Sequence, residues 1–250
     1  MAAETFPTNP AATRTVSGPQ AANMMDGTSY LNAQYGVVFD THVVVAHELA
    51  GVVDHNDASQ RVWLLLHRLQ KWFRRRNADA FYVYVHENSR DKGFHTHLLL
   101  HAGAWWPELK AWLPEAVSRL WGGPLPKGML HIKHRNQAKL EHRIALQWIW
   151  VRYLLKGVAS SLAVVCPDSG EIKPVHQVLR LRLRAGGEVR CRKRVGVSSN
   201  IGRSARERSG YVSLFAAGQD DRLFSGDEFR RFEERRRQEE VNRFLGVLSD

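Results

Sequence analysis

The hydrophobic and polar positions of the chain change period several times, and the first two patterns are a strand-like run and a helix-like run. The run THVVVAHEL at residues 41–49 is rich in β-branched residues, which is typical of a strand. In QRVWLLLHRLQKWFRRR, at residues 60–76, apolar side chains recur at three- and four-residue spacing, and Ser59 can cap the start. These recurring positions are Val62, Leu65, Leu66, Leu69 and Phe73. The pattern predicts a strand followed by an amphipathic helix with a basic end.

Two strand-like runs come next and predict an antiparallel hairpin. They are AFYVYVHE at 80–87 and FHTHLLLH at 94–101, and the intervening NSRDKG is polar and holds turn residues. If residues whose numbers sum to 182 face one another, Glu87 pairs with His95 and Val85 pairs with His97. A slip of one residue would turn Glu87 to the other face of the hairpin, so the register decides which side chains meet.

The following patterns complete a mixed order of strands and helices. WPELKAWLPEAVSRLW at 106–121 predicts a helix interrupted at Pro114, and MLHIKH at 129–134 predicts a further strand. IALQWIWVRYLLKGVA at 144–159 is apolar nearly all round, which predicts a buried helix that ends at Gly157. The order β-α-β-β-α-β-α favours an α+β fold, a central antiparallel β-sheet with helices packed on one side, of the ferredoxin-like or RNA-recognition-like kind.

Composition divides the chain into four predicted parts. Residues 1–35 are rich in Ala, Thr, Pro, Asn and Gly without a sustained apolar period, which predicts a disordered leader. Residues 36–165 are the expected folded domain, residues 166–210 a basic extension, and residues 211–250 a charged C-terminal helix. Within the extension, VLRLRLR at 178–184 alternates apolar and basic residues, which predicts a strand with one packed face and one arginine face.

The charge of the chain indicates a polyanionic partner. The formal net charge is +11, and residues 172–208 hold eleven Lys or Arg against Glu188 and Glu207. No stretch of 18 apolar residues and no apolar leader is present, so we expect no membrane partner and a cytoplasmic location. The two cysteines, Cys166 and Cys191, form no CxxC pair, and no phosphate-binding G-x-x-x-x-G-K-[ST] motif occurs.

Candidate chemistry lies on the predicted hairpin. Alternate residues of a strand share a face, so His95 and His97 can direct ring nitrogens at one ion while Thr96 points away. In the expected register Glu87 joins them on that face. Two imidazoles and one carboxylate, with coordination positions left open, suit a divalent ion that also holds a phosphate oxygen. Alone, however, such a pair of histidines is more often structural.

A second candidate pair lies on the late apolar helix. Tyr153 and Lys156 are three residues apart and therefore neighbours on one helix face. Taken by itself, the pair fits a core aromatic residue and a solvated lysine at a helix end. The two motifs together are much more specific than either one.

HENSRDKGFHTHLLLH followed by YLLKG resembles the HUH endonucleases, in particular the rolling-circle replication initiators of plasmids, phages and small circular DNA viruses. The resemblance covers roughly residues 38–160. It implies that Glu87, His95 and His97 bind Mg²⁺ or Mn²⁺, that Tyr153 is the nucleophile that becomes joined to a 5′ phosphate, and that Lys156 assists it. The nucleophilic tyrosine follows the histidines, as in replication initiators and single-tyrosine transposases and unlike relaxases.

The implied substrate is single-stranded DNA at a replication origin, in the bacterial cytoplasm, with a host helicase as a further partner. The expected DNA-binding residues are the cations of the basic extension, Arg180, Arg182, Arg184, Arg190, Arg192, Lys193 and Arg194. Three alternatives stay open: a single-tyrosine transposase, a non-catalytic RNA-recognition-like module that binds nucleic acid regardless of chelators, and a zinc hydrolase, which lacks the usual H-E-x-x-H helix.

Overall fold

A computed structural model of the chain describes residues 11–135, 139–165, 170–212, 234 and 237–243. Its centre is a five-stranded antiparallel sheet made of β2 (Thr41–Ala46), β3 (Tyr82–Ser89), β4 (Gly93–Leu100), β5 (Leu130–His134) and β9 (Val195–Val197). The order of the strands across the sheet is β5-β2-β4-β3-β9. Two small two-stranded sheets pair β1 (Ala12–Thr13) with β8 (Val189–Arg190) and β6 (Ala163–Val165) with β7 (Ile172–Pro174). The predicted α+β fold with a central antiparallel sheet is confirmed.

The helices pack against both faces of this sheet, whereas one covered face was expected. They are α1 (Gly18–Tyr35), α2 (His55–Arg74), α3 (Trp106–Trp121), α4 (Leu140–Leu154) and two short helices, α5 (Val175–Val178) and α6 (Arg203–Arg208). The crossover helices α2 and α3 pack on the face that presents Val43, Val45 and Leu98, as in a ferredoxin-like core. Helices α1 and α4 pack on the opposite face, against Val83, Val85 and Leu99.

The expectation that residues 1–35 form a disordered leader is wrong for residues 18–35, which form α1. Ser17 caps this helix with its side chain and Gln20 returns a bond to the Ser17 backbone, a capping box. The helix lacks a clear apolar stripe because it buries small and polar residues as well as Met24 and Leu31. Asn32, for example, is fully buried and exchanges side-chain hydrogen bonds with Gln147 of α4. Residues 1–10 lie outside the described part of the chain.

Helix α3 is continuous through Pro114, so the predicted interruption is wrong. The proline removes the N–H that would bond to the carbonyl of Lys110. Because Lys110 lies on the exposed side of the helix, water can satisfy that carbonyl.

The predicted boundary at residue 165 is also wrong, since the basic extension belongs to the same fold. Strand β9 pairs with β3, and Leu179, Leu181 and Ile201 lie in the core beside α1 and α4. The predicted strand at 178–184 does not form: α5 ends at Val178, and Arg180 adopts a left-handed φ of 51°. The alternation still sorts the residues, because the leucines face the core and the arginines face solvent.

The predicted C-terminal helix falls mostly outside the described residues. Of residues 211–250, the structure describes 211–212, 234 and 237–243, and residues 237–243 are helical and exposed. Within the described part of the chain, no helix is both long and apolar enough to cross a membrane.

Candidate metal centre

The hairpin of β3 and β4 places three potential metal ligands on one face of the sheet. Glu87 lies opposite His95, and Val85 lies opposite His97, which is the register expected from the sequence. Strand alternation turns Thr96 to the other face. Glu87, His95 and His97 are each at most 2% exposed.

The three side chains converge on a small volume. Glu87 Oε2 lies 3.4 Å from His95 Nε2 and 3.4 Å from His97 Nε2. One ligand atom from each residue lies within 4.8 Å of the other two, as required for binding a common ion. Glu87 Oε1 and His97 Nε2 are buried without a hydrogen-bond partner. Because such groups are costly to bury unless they are satisfied, their unpartnered lone pairs fit a bound cation.

The tautomer of His95 supports the same conclusion. His95 Nδ1 lies 2.8 Å from the backbone oxygen of Gly93. A carbonyl oxygen can only accept, so Nδ1 carries a proton and donates it. In neutral His95 the Nε2 lone pair therefore faces the Glu87 carboxylate, an arrangement of two acceptors that a cation between them would stabilise.

The charges of the group are also suited to cation binding. Burial by itself would raise the pKa of Glu87, but hydrogen bonds from His95 and His97 when these rings are protonated, together with the charge of Lys156, hold that pKa well below its usual range. Burial lowers the pKa of His97 to about 4, against the opposing attraction of Glu87. The site therefore presents an ionised carboxylate and a neutral imidazole at neutral pH.

A fourth histidine, His42 of β2, lies beside this group and was not singled out from the sequence. His42 Nε2 is 3.1 Å from His97 Nδ1, and His42 is 8% exposed. Burial, followed by the charge of His97, lowers the pKa of His42 to about 3. Neutral His42 can thus accept a hydrogen bond from His97 Nδ1–H, and in that tautomer His97 Nε2 is unprotonated and able to bind metal. The only feature of the sequence that could have identified His42 is its alternate position on a strand. That feature places it on the face of His97 only once β2 is known to pair with β4.

Tyr153 and Lys156 reach the same face of the sheet from α4 and the 3₁₀ turn Leu155–Gly157 that follows it. Lys156 Nζ lies 2.7 Å from Glu87 Oε2 and 3.6 Å from the centroid of the Tyr153 ring, over the ring face. The Tyr153 ring contacts that of His97, with centroids 5.2 Å apart. Tyr153 is 38% exposed, whereas the groups behind it are buried. The structure therefore brings together all five residues that the sequence motifs singled out.

The cations of the basic extension are distributed more widely. Six of the seven expected DNA-binding residues are exposed: Arg180, Arg182, Arg184, Arg190, Arg192 and Lys193. Arg194 is 1% exposed and donates to the backbone oxygens of Thr13 and Gly186, so it stabilises the fold and is not available as a surface contact. Arg194 differs from the other six cations because it lies just before β9, where its side chain turns inward.

One part of the extension adjoins the metal-ligand group. The backbone N–H of Arg184 donates to the Lys156 oxygen at 2.8 Å, and that of Asn88 donates to the Gly186 oxygen at 2.8 Å. A cavity of about 510 Å³ opens at this junction, lined by Gly157, Arg184 and Arg14 among others. Cationic side chains thus lie next to the turn that carries Lys156.

Comparison of the chain with models of protein families, with curated proteins and with solved structures found no match.

Proposed function

We propose that the protein is a metal-dependent endonuclease that nicks and rejoins single-stranded DNA, with Tyr153 as the nucleophile. The observation that carries the proposal is the convergence of a partly exposed phenol with an ammonium group and a buried Glu-His-His group. Each of these residues comes from one of two segments far apart in sequence. The order of the motifs along the chain is that of replication initiators and single-tyrosine transposases, and of these two we propose an initiator of rolling-circle replication at an origin of a plasmid or phage.

Glu87, His95 and His97 are the residues that would hold a divalent cation, and hard ions such as Mg²⁺ or Mn²⁺ suit a site that must also accept a phosphate oxygen. A cation bound there would polarise the scissile phosphate and offset the charge that develops on it. His42 would position His97 through its hydrogen bond.

In the proposed reaction, the Tyr153 oxygen attacks the phosphorus of a phosphodiester. A bond forms between this oxygen and phosphorus, and the bond from phosphorus to the 3′ oxygen breaks. The phenol loses its proton and the departing 3′ oxygen gains one, so the protons balance. Because the phosphotyrosyl ester conserves the energy of the broken linkage, attack by a 3′ hydroxyl can reverse the step and reseal the strand without ATP.

Lys156 has two roles in this scheme. Its ammonium group neutralises the Glu87 carboxylate on one side. On the other side it lies over the Tyr153 ring, where it would offset negative charge that develops around the reacting oxygen and phosphate. Exposed Arg184 and Arg14 beside the same turn would bind the phosphates next to the scissile bond. Their contribution should weaken as salt rises, because each phosphate contact releases counterions.

A covalent-adduct assay tests the proposal. Purified protein is incubated with a pool of labelled single strands and Mn²⁺ or Mg²⁺, and the products are separated on denaturing gels. We expect a labelled protein band that Tyr153→Phe abolishes, a loss on the order of 10⁴-fold or more because a catalytic nucleophile is removed.

The matched control is Tyr35→Phe, which removes a hydroxyl that donates to the Asn200 backbone oxygen away from the site. This variant should form the adduct as the wild-type protein does. An adduct of undiminished yield from Tyr153→Phe would exclude Tyr153 as the nucleophile. Undiminished cleavage in excess chelator would exclude the metal role of His95 and His97.

A further inference from the structure

A second large concavity lies at the β9 edge of the sheet, away from the metal-ligand group. It has a volume of about 1190 Å³ and lies between α1, α2 and α6, with Tyr82 and Tyr84 among its lining residues. Its volume exceeds the range of 300–1,000 Å³ that is usual for a small-molecule pocket, which favours an extended ligand. We call this concavity the edge groove.

The edge groove is separate from the proposed catalytic site because of strand parity. Tyr84 and Glu87 are three residues apart on β3, so their side chains project from opposite faces of the sheet. Glu87 faces α4, whereas Tyr82 packs in the cluster beneath α2. A ligand in the edge groove would therefore not contact the Glu87 carboxylate.

Aromatic rings line one side of the edge groove. Trp63 of α2 is 41% exposed, and its ring lies against that of His67 one turn later, with centroids 5.0 Å apart. The Tyr84 ring lies across Gly196 of β9, so closely that a Cβ at Gly196 would clash with it. A large exposed indole on a helix is a surface on which a planar base can stack.

Cationic side chains surround these rings. The exposed cations that line the edge groove are Arg192, Lys193, Arg203 and Arg208, and the acidic residues are Asp26 and Glu207. Arg203 bonds to Glu207 at 2.7 Å, which leaves the balance clearly positive. Two of these cations, Arg192 and Lys193, belong to the set expected from the sequence to bind DNA.

We propose that the edge groove binds a single strand of nucleic acid, as a second contact surface outside the catalytic site. Stacking rings combined with cations favour a single strand, because the faces of its bases are accessible, whereas those of a duplex are stacked on each other. The inference rests on the proposed function for the nature of the ligand. In that function the groove would hold DNA that flanks the cleaved bond.

The binding test uses fluorescence anisotropy with labelled 30-nucleotide oligothymidine, in chelator and on the Tyr153→Phe background, so that no cleavage occurs. Trp63→Ala should weaken binding about five-fold or more, since a stacked base is lost. Lys193→Gln should weaken binding and reduce the slope of log affinity against log salt by about one. The control is Lys110→Gln, an exposed lysine of α3, which should change neither quantity.

A crosslinking test locates the ligand directly. A strand that carries bromodeoxyuridine is irradiated with the full-length protein, and the crosslinked peptides are identified by mass spectrometry. We expect a crosslink within residues 59–70, which include Trp63. Wild-type affinity in both groove variants, together with no crosslink in that range, would overturn the proposal. Equal, Trp63-dependent binding of a labelled polyglutamate peptide or of duplex DNA would also overturn it, in favour of an acidic protein or a duplex.

The outcome is separable from that of the proposed function. Adduct formation on a short strand depends on Tyr153 and needs no contact with the edge groove. If the groove variants lose binding while no adduct ever forms, the groove stands and the nuclease proposal fails. If the adduct forms and the groove variants bind normally, the nuclease proposal stands and the edge-groove proposal fails.

Discussion

Three consecutive residues of β4 contact histidine-containing groups on opposite faces of the central sheet, and the two groups differ in their surroundings. His95 and His97 face α4 and meet the Glu87 carboxylate. Thr96 between them faces the other side, where it meets His47 and His86. Both groups of histidines are buried, and each includes a ring nitrogen without a hydrogen-bond partner, His97 Nε2 on one face and His47 Nδ1 on the other, so the groups differ in the charge of their neighbours.

The Thr96 face is a neutral hydrogen-bonded cluster. Thr96 Oγ1 lies 2.7 Å from His47 Nε2 and 2.7 Å from His86 Nδ1. A hydroxyl can donate to one imidazole and accept from the other, so both contacts are satisfied. Burial holds the pKa of His47 well below its ordinary value and lowers that of His86 to about 3. Trp121 stacks on His47, which completes an apolar enclosure.

The Glu87 face instead contains an ionised carboxylate and opens beside the partly exposed Tyr153. Lys156 is its cation in this structure, and Glu87 Oε1 and His97 Nε2 have no hydrogen-bond partner. The comparison shows that buried histidines alone do not define a metal site. What distinguishes the candidate site is a carboxylate whose surroundings leave room for positive charge.

Glu87→Gln should cause the largest change, because it removes the charge on which this face depends. Lys156 is 8% exposed and would lose its anionic partner, and breaking a buried pair in this way typically costs about 3–5 kcal/mol. We expect this loss in the free energy of unfolding by urea titration of the metal-free protein, together with loss of Mn²⁺ binding by calorimetry.

The control is Glu115→Gln, since the Glu115–Arg119 pair is exposed and should contribute nothing measurable. Unchanged stability and unchanged Mn²⁺ affinity in Glu87→Gln would show that the two faces are equivalent.

His42→Phe should have the next largest effect, and it tests whether His42 supports metal binding on the Glu87 face. The substitution keeps an aromatic ring but removes the partner of His97 Nδ1. Loss of such a supporting hydrogen bond typically lowers metal affinity 10- to 100-fold, which we expect for Mn²⁺ by calorimetry. His142→Phe, at an exposed histidine of α4, should leave the affinity unchanged. An affinity equal to that of wild type in His42→Phe would remove His42 from the site.

Thr96→Val should have the smallest effect, and this effect should be limited to the Thr96 face of the sheet. The valine fills the same space without a hydroxyl, so His47 and His86 each lose a partner, at a cost of about 1–3 kcal/mol in the free energy of unfolding. Metal affinity should stay the same even though residue 96 lies between two proposed ligands. A large drop in Mn²⁺ affinity with unchanged stability would contradict this division between the faces.

The features of the site that could be predicted from the sequence are those set by residues close together in the chain. A short polar turn sets the hairpin register, and this register alone brings Glu87 to His95. The spacing of Tyr153 and Lys156 on one turn of helix is equally local. That these two residues meet Glu87 is a long-range fact, and the resemblance to a family supplied it as an expectation.

What could not be predicted depends on contacts between distant segments. Helix α1 buries polar residues such as Thr28, which donates to the Met24 oxygen one turn earlier, and Asn32, which bonds to Gln147 of α4, so its apolar period is hidden. Strand β9 is three residues long and is stabilised by pairing with β3, which no local pattern reveals. Arg194 is charged yet buried, because backbone oxygens from two separate segments accept its hydrogen bonds.

The central claim is that the Glu87 face, and not the Thr96 face, is a metal centre. The most direct measurement is an anomalous difference map from crystals of the protein soaked in Mn²⁺. The account predicts a peak bonded to Glu87, His95 and His97. A map with no peak among these three residues at saturating Mn²⁺, or with its peak at His47 and His86, would contradict it.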